Sequence, residues 1–201
     1  MRTVDEVRRK TPGALELLLL MRFIETELNG AFVVEPELIK DERGHFARTW
    51  SREEFASHGL NSKLAQCNSS YNKQRGTLRG MHYQIPPHGE AKLVRCTAGA
   101  IYDVIVDLRE RSPTRSKWIG VELSAGNRLM VYVPEGFAHG FQTLEDDTEV
   151  FYQASECYHP ESARGVRWDD PVFGIHWPLE ISLISERDRS HPFLGAGQKE
   201  T

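Results

Sequence analysis

Ile101-Tyr102-Asp103-Val104-Ile105-Val106-Asp107-Leu108 is the stretch on which the fold turns. Its even positions are all apolar or aromatic, while Asp103 and Asp107 fall on the other face. Side chains alternate across a strand, so this pattern, rich in β-branched residues, reads as β-structure. Similar short runs lie on both sides of it. Upstream are Ala31 to Val34, His45 to Trp50 and Lys92 to Cys96; downstream are Lys117 to Leu123, Arg128 to Val133 and Thr148 to Ser155. Gly, Pro and Asp punctuate them. One helix stands apart: in Ser51-Arg52-Glu53-Glu54-Phe55, Ser51 is an N-cap and Glu54 completes a capping box, with an end expected near Gly59. The series predicts an all-β protein, an antiparallel sandwich or barrel with a few short peripheral helices. No internal repeat or low-complexity segment interrupts it.

The chain has 201 residues, enough for one domain with a substantial core. Its formal net charge of -4 argues against a general nucleic-acid binder, which needs a basic surplus. The three cysteines, Cys67, Cys96 and Cys157, are odd in number, widely spaced and without a CxxC pair. They read as reduced thiols of a cytoplasmic protein rather than a disulfide framework or zinc site. No run approaches the ~20 apolar residues that cross a bilayer, so no membrane partner is expected. Asp5 and Glu6 stand where a signal peptide wants positive charge. Residues 1–20 differ in character from the rest: charged through Lys10, broken at Thr11-Pro12-Gly13, then apolar. They are expected to be an N-terminal extension, with a single domain over 21–201.

Chemistry concentrates in Gly76-Thr77-Leu78-Arg79-Gly80-Met81-His82-Tyr83-Gln84, followed closely by Lys92. A strand that only built core would not carry a guanidinium and an imidazole among its apolar residues. Strict alternation places Leu78, Gly80, His82 and Gln84 on one face, Arg79 on the other, and Lys92 with Val94 and Cys96. Gln66, Asn68 and Ser70 form a polar stripe, which is either a solvent face or a cavity wall. Tyr152 and Tyr158 lie six apart and share a face if the segment is extended; tyrosines in β proteins are more often core residues with a local partner. Asp188 alone would pass as a surface charge.

Pro134-Glu135-Gly136-Phe137-Ala138-His139-Gly140-Phe141 has the PxGxxH form of the second cupin motif. The place of the first motif reads His82-Tyr83-Gln84, with Glu90 further on. A metal would then rest on His82, His139, Glu90 and a weak glutamine ligand, a poor set. Neither metal nor other cofactor is expected.

From about Arg22 to Pro192 the chain resembles the dTDP-4-dehydrorhamnose 3,5-epimerases, deoxysugar epimerases of the cupin superfamily. The matching stretches include Asp41-x-Arg43-Gly44-x-Phe46, Gln66-x-Asn68-x-Ser70, Leu78-Arg79-Gly80-x-His82-Tyr83-Gln84, Lys92-Leu93-Val94, Ser112-Pro113-Thr114, the PxGxxH segment and Asp170-Pro171. The resemblance implies a cupin-type antiparallel jelly-roll barrel. It implies a homodimer that exchanges N-terminal β-structure, and a nucleotide-linked 4-keto-6-deoxyhexose as substrate. By the same resemblance His82 is the base, Asp188 orients it, Lys92 stabilises the enolate oxygen and Tyr152 is the acid on the opposite face. Tyr158 influences sugar ring conformation. Arg43, Gln66, Asn68 and Arg79 contact the nucleotide diphosphate or sugar, and His139 lines the same cavity; for Arg79, alternation then requires that Gly80 permit a bulge or that Arg79 reach the rim or a neighbouring subunit. Arg48 departs from the pattern, standing where typical members carry Glu. The segment Met21-Arg22-Phe23-Ile24-Glu25 looks like a natural start for such enzymes. Two other readings stand beside this one, a metal-dependent cupin enzyme and a non-catalytic sugar-binding cupin.

Overall fold

The computed structural model describes residues 20–194; the expected extension, all but Leu20, lies outside them. In chain order the strands are β1 (Arg22–Glu25), β2 (Phe32–Glu35), β3 (Ile39–Asp41), β4 (Gly44–Phe46), β5 (Gln66–Asn72), β6 (Thr77–Gln84) and β7 (Lys92–Ala98). They continue with β8 (Ala100–Asp107), β9 (Trp118–Ser124), β10 (Met130–Val133), β11 (Phe137–Thr143), β12 (Thr148–Ala154), β13 (Ala163–Gly165) and β14 (Leu183–Ile184). Two short helices, α1 (Arg52–Ser57) and α2 (Glu186–Arg189), are peripheral. The run His45 to Trp50 forms strand only as far as Phe46.

Two sheets build the sandwich. One has the order β1-β2-β10-β7-β12-β5, the other β13-β6-β11-β8-β9, and β3 and β4 form a separate ribbon. Pairing is antiparallel throughout except that β14 joins β6 in parallel. Sequence-distant strands alternate within each sheet, as in a jelly roll. Between the sheets, Val94, Cys96, Val131 and Val150 of the first meet Ile101, Ile105, Leu123 and Phe141 of the second. Fully burying each such aliphatic side chain contributes about 1.5–3 kcal/mol.

The outer faces are covered too. On the second sheet Met81, Val104, Val106 and Ala138 lie under Val166 and Phe173 of the C-terminal segment. On the first, Val34, Met130 and Tyr132 lie under Phe55 of α1. This explains β8, which is buried on both faces. Its aspartates lie on the inward face with Ile101 and Ile105, where each must find a partner. Asp107 accepts from Arg109 and Thr114, and Asp103 meets His139.

Helix α1 starts as expected, Ser51 Oγ accepting from the N–H of Glu54, and Gly59 follows with a left-handed φ of 71°. The other half of the capping box is absent. The Glu54 carboxylate instead accepts from the N–H of Met21 at 2.8 Å and pairs with Arg48 at 2.9 Å. Among the described residues no helix is long and apolar enough to cross a membrane.

Candidate active site

A cavity of about 380 Å³ opens between the two sheets at the end away from the aliphatic core, lined by Gln66, Asn68, His82, Lys92, Tyr152 and Tyr158 among others. An adjoining compartment of about 180 Å³ shares His82, Lys92 and Tyr152 and adds Ser70, Arg79 and His139. A third cavity, about 390 Å³ beside Phe46, Arg95 and Arg128, has no carboxylate in its lining to orient a histidine as Asp188 does His82.

The first sheet supplies one wall. Lys92 shares a face with Val94 and Cys96, both in the inter-sheet core, so it too points inward. Register sets Tyr152 opposite Val94 on one side and Asn68 on the other, bringing phenol, ammonium and amide together. The stripe Gln66, Asn68, Ser70 is therefore a cavity wall rather than a solvent face. The Asn68 amide nitrogen is buried with no partner among the described residues, a donor free to meet a ligand. Lys92 Nζ lies 2.9 Å from Glu90 Oε1. Burial, reinforced by Glu90, pushes the Tyr152 phenol up, so it stays protonated at neutral pH.

The second sheet supplies the opposite wall, and here strict alternation fails. His82 pairs with His139, but Arg79 pairs with Phe141, so β6 carries one more residue than β11 over this interval. The extra residue is a β-bulge, and it brings Arg79 round to the face of His82. Leu78 is correspondingly turned to the other face, opposite Gln142. The bulge sits at Gly80, whose φ is 134°, and a Cβ there would come within 2.5 Å of Gly140 Cα. Only a pair of glycines lets the two backbones approach this closely.

His82 Nε2 lies 2.7 Å from Asp188 Oδ1, and the other oxygen of Asp188 accepts from the N–H of Gly80 at 3.2 Å. Asp188 is held in the first turn of α2, its own N–H donating to Ser185 Oγ at 3.1 Å. Burial pushes this carboxyl up, but the hydrogen bond and charge of His82 with the Gly80 N–H outweigh it and hold its pKa below the usual carboxylate range. An ionised Asp188 fixes the proton on Nε2 and leaves Nδ1 as the unprotonated ring nitrogen of a residue that lines the cavity. Behind them, His191 stands edge-on to His82 at 5.6 Å between ring centroids.

One expected residue lies elsewhere, and another reaches the cavity by a different route. Arg43 is exposed at the turn of the β3–β4 ribbon, paired with Asp41, and lines neither compartment. Tyr158 does line the cavity, though not by strand alternation: β12 ends at Ala154, and a loop delivers it, its N–H reaching Gln66 Oε1 at 3.3 Å. Arg164 and Arg187 also line the cavity and had no motif to mark them. The four donors of a cupin metal set are otherwise engaged. Gln84 bonds three backbone groups, Glu90 pairs with Lys92, His139 lies 2.7 Å from Asp103, and His82 is held by Asp188.

Residues 25–196 match the family model described as dTDP-4-dehydrorhamnose 3,5-epimerase. The chain belongs to this family. The dTDP-4-dehydrorhamnose 3,5-epimerase of Methanothermobacter thermautotrophicus is 49% identical over 173 residues, covering 84% of this chain and 92% of the relative. Among solved structures of dTDP-4-dehydrorhamnose 3,5-epimerases, that from Bacillus anthracis with TDP and PPi bound superposes with a TM-score of 0.83 at 41% identity, over 87% of this chain and 99% of that one. The Legionella pneumophila dTDP-6-deoxy-D-glucose-3,5-epimerase in complex with dTDP-4-keto-L-rhamnose gives 0.82 at 36% identity, over 88% and 94%. As a family member the chain is an isomerase, and its two-sheet architecture is that of its solved relatives.

Proposed function

We propose that this epimerase inverts carbon 3, carbon 5 or both in a dTDP-linked 4-keto-6-deoxyhexose, on the route to dTDP-L-rhamnose or a related surface-polysaccharide sugar. The observation that carries the reading is the His82–Asp188 pair facing a cavity that also holds Lys92 and Tyr152. A ketone at carbon 4 acidifies the protons on its neighbours, so a base can remove one and leave an enolate. His82 removes the proton through Nδ1, and Asp188 stabilises the imidazolium that forms. Lys92 stabilises the charge gathering on the enolate oxygen. Tyr152, on the opposite sheet from His82, returns a proton to the other face, and the centre is inverted. Gln66, Asn68, Arg79, His139 and Tyr158 position the nucleotide sugar. No step calls on a metal or redox cofactor.

Arg43 contributes only if a second copy brings its ribbon to the cavity, which favours the homodimer implied by the resemblance. The exposed Phe46 on the same ribbon supports a covered role for it. Three free cysteines are consistent with a reducing, cytoplasmic setting. The test is NMR of dTDP-4-keto-6-deoxyglucose incubated with the protein in deuterium oxide. Exchange and inversion at carbon 3 or carbon 5 are expected, and the labelled carbon names the activity. Binding without any exchange would instead make the protein a non-catalytic sugar-binding member.

A further inference from the structure

Gln84 fastens two histidine-bearing turns to each other at the rim of the cavity. Its amide nitrogen donates to the carbonyls of His88 and Cys157, both at 3.0 Å, and its oxygen accepts from the N–H of His159 at 2.6 Å. Each turn is also closed by its own backbone. The His88 N–H bonds Ile85 O at 3.1 Å, the Ala163 N–H bonds His159 O at 2.9 Å, and the Ile85 N–H reaches across to Ser162 O at 3.0 Å. One hydrogen-bonded frame therefore holds the backbone of both histidines.

Their side chains converge on a third group. The imidazole rings of His88 and His159 lie face to face, 3.5 Å between centroids and 8° from parallel. His159 Nδ1 is 3.2 Å and His88 Nε2 3.8 Å from the same carboxylate oxygen of Glu161. The three ligand atoms all lie within 4.8 Å of one another. Two imidazole nitrogens and a carboxylate oxygen, open to solvent on one side, suit a borderline divalent cation whose remaining positions water fills. Zinc, with bonds of about 2.0–2.2 Å, holds tetrahedral donors about 3.4 Å apart. Closing to that spacing calls for the three side chains to turn from the positions they hold here, on the backbone frame that carries them.

We propose that His88, His159 and Glu161 form a binding site for a divalent transition metal, of which zinc fits best. The site is distinct from the His82–Asp188 pair and stands whether or not the epimerase reading does. Its ion ties the turn after β6 to the loop carrying Tyr158, next in sequence to His159, and so restrains a tyrosine of the cavity mouth. Binding also leaves a signature. An imidazole lone pair lies in the ring plane, whereas an ion midway between two parallel stacked rings lies outside both planes, so coordination must splay the stack.

The full-length chain, stripped with EDTA and dialysed, is titrated with zinc chloride against a chromophoric indicator at about pH 7.5, with imidazole NMR spectra recorded in parallel. One zinc per chain is expected, with the ring signals of His88 and His159 shifting together. His159→Asn and Glu161→Gln should each weaken binding by about tenfold or more. His176→Asn, an exposed histidine outside both clusters, should not. Affinity should fall as the solution is acidified, because the ligating imidazoles must be deprotonated. Absence of stoichiometric binding overturns the proposal and leaves a histidine–carboxylate hydrogen bond. So does wild-type affinity in His159→Asn, or a zinc response confined to His82 and His191.

Discussion

His82 has one ring nitrogen tied to Asp188 at 2.7 Å, and the chemistry proposed here depends on the other. Removing the ring should therefore remove the base without disturbing the sandwich, since His82 is only partly buried. His82→Ala is expected to reduce solvent-deuterium exchange by about 100- to 10,000-fold with an unchanged circular dichroism spectrum. Exchange retained at more than about a tenth of wild type would show that another group abstracts the proton. In the proposed chemistry Asp188 and Tyr152 act at different moments. Asp188→Asn weakens the imidazolium and should slow both proton removal and proton return. Tyr152→Phe should slow completed inversion more than initial exchange, because the phenol is proposed to deliver the returning proton. Following deuterium incorporation and epimer formation in the same sample separates them; wild-type behaviour of Tyr152→Phe in both would move the acid elsewhere.

At the scale of the element, β6 depends on its bulge. A regular strand would direct Arg79 and His82 to opposite faces; one extra residue directs both into the same cavity. Gly80 holds that register with a left-handed φ and no side chain against Gly140. Gly80→Ala meets both obstacles, the backbone conformation alone costing about 1–3 kcal/mol. A lower melting temperature is expected, together with a loss of exchange activity larger than the loss of folded protein explains. A variant as stable and active as wild type would mean that the alignment of Arg79 with His82 does not rest on this glycine.

For the molecule as a whole, the boundary at Met21 has a structural rationale. Met21 is buried in the cluster formed by α1 and the first sheet, and its N–H donates to Glu54. A chain beginning at Met21 would place an ammonium on that same carboxylate. It should fold, show the same oligomeric state as the full-length chain by light scattering and keep full activity; a changed oligomeric state or an insoluble product would make residues 1–20 a structural element. Chelation tests the whole molecule in another way. The proposed zinc site at His88, His159 and Glu161 includes none of the groups assigned to proton transfer, so extensive chelation and dialysis should leave turnover at saturating substrate unchanged. Activity lost on chelation and restored by zinc, iron or manganese would favour a metal-dependent cupin enzyme.

The sequence by itself determined the all-β class, the strand at Ile101–Leu108, the inward face of Lys92, Val94 and Cys96, and the cap at Ser51. All of these follow from alternation or capping over a few residues, which local periodicity records. The stripe Gln66, Asn68, Ser70 was legible as a stripe, but whether it faced water or ligand depended on the opposing sheet. Other features belong to the tertiary structure alone. Asp188 meets His82 across 106 residues of chain, and no local pattern encodes that contact. Arg79 joins the cavity because two glycines on different strands allow their backbones to touch. Asp103 and Asp107 alternate correctly, yet only the packing of both faces of β8 makes them buried partners of His139 and Arg109. Glu54, half of a capping box by spacing, is drawn instead to Met21 and Arg48. In each case the deciding partner is distant in sequence, and packing of the sheets, not the period of a segment, selects it.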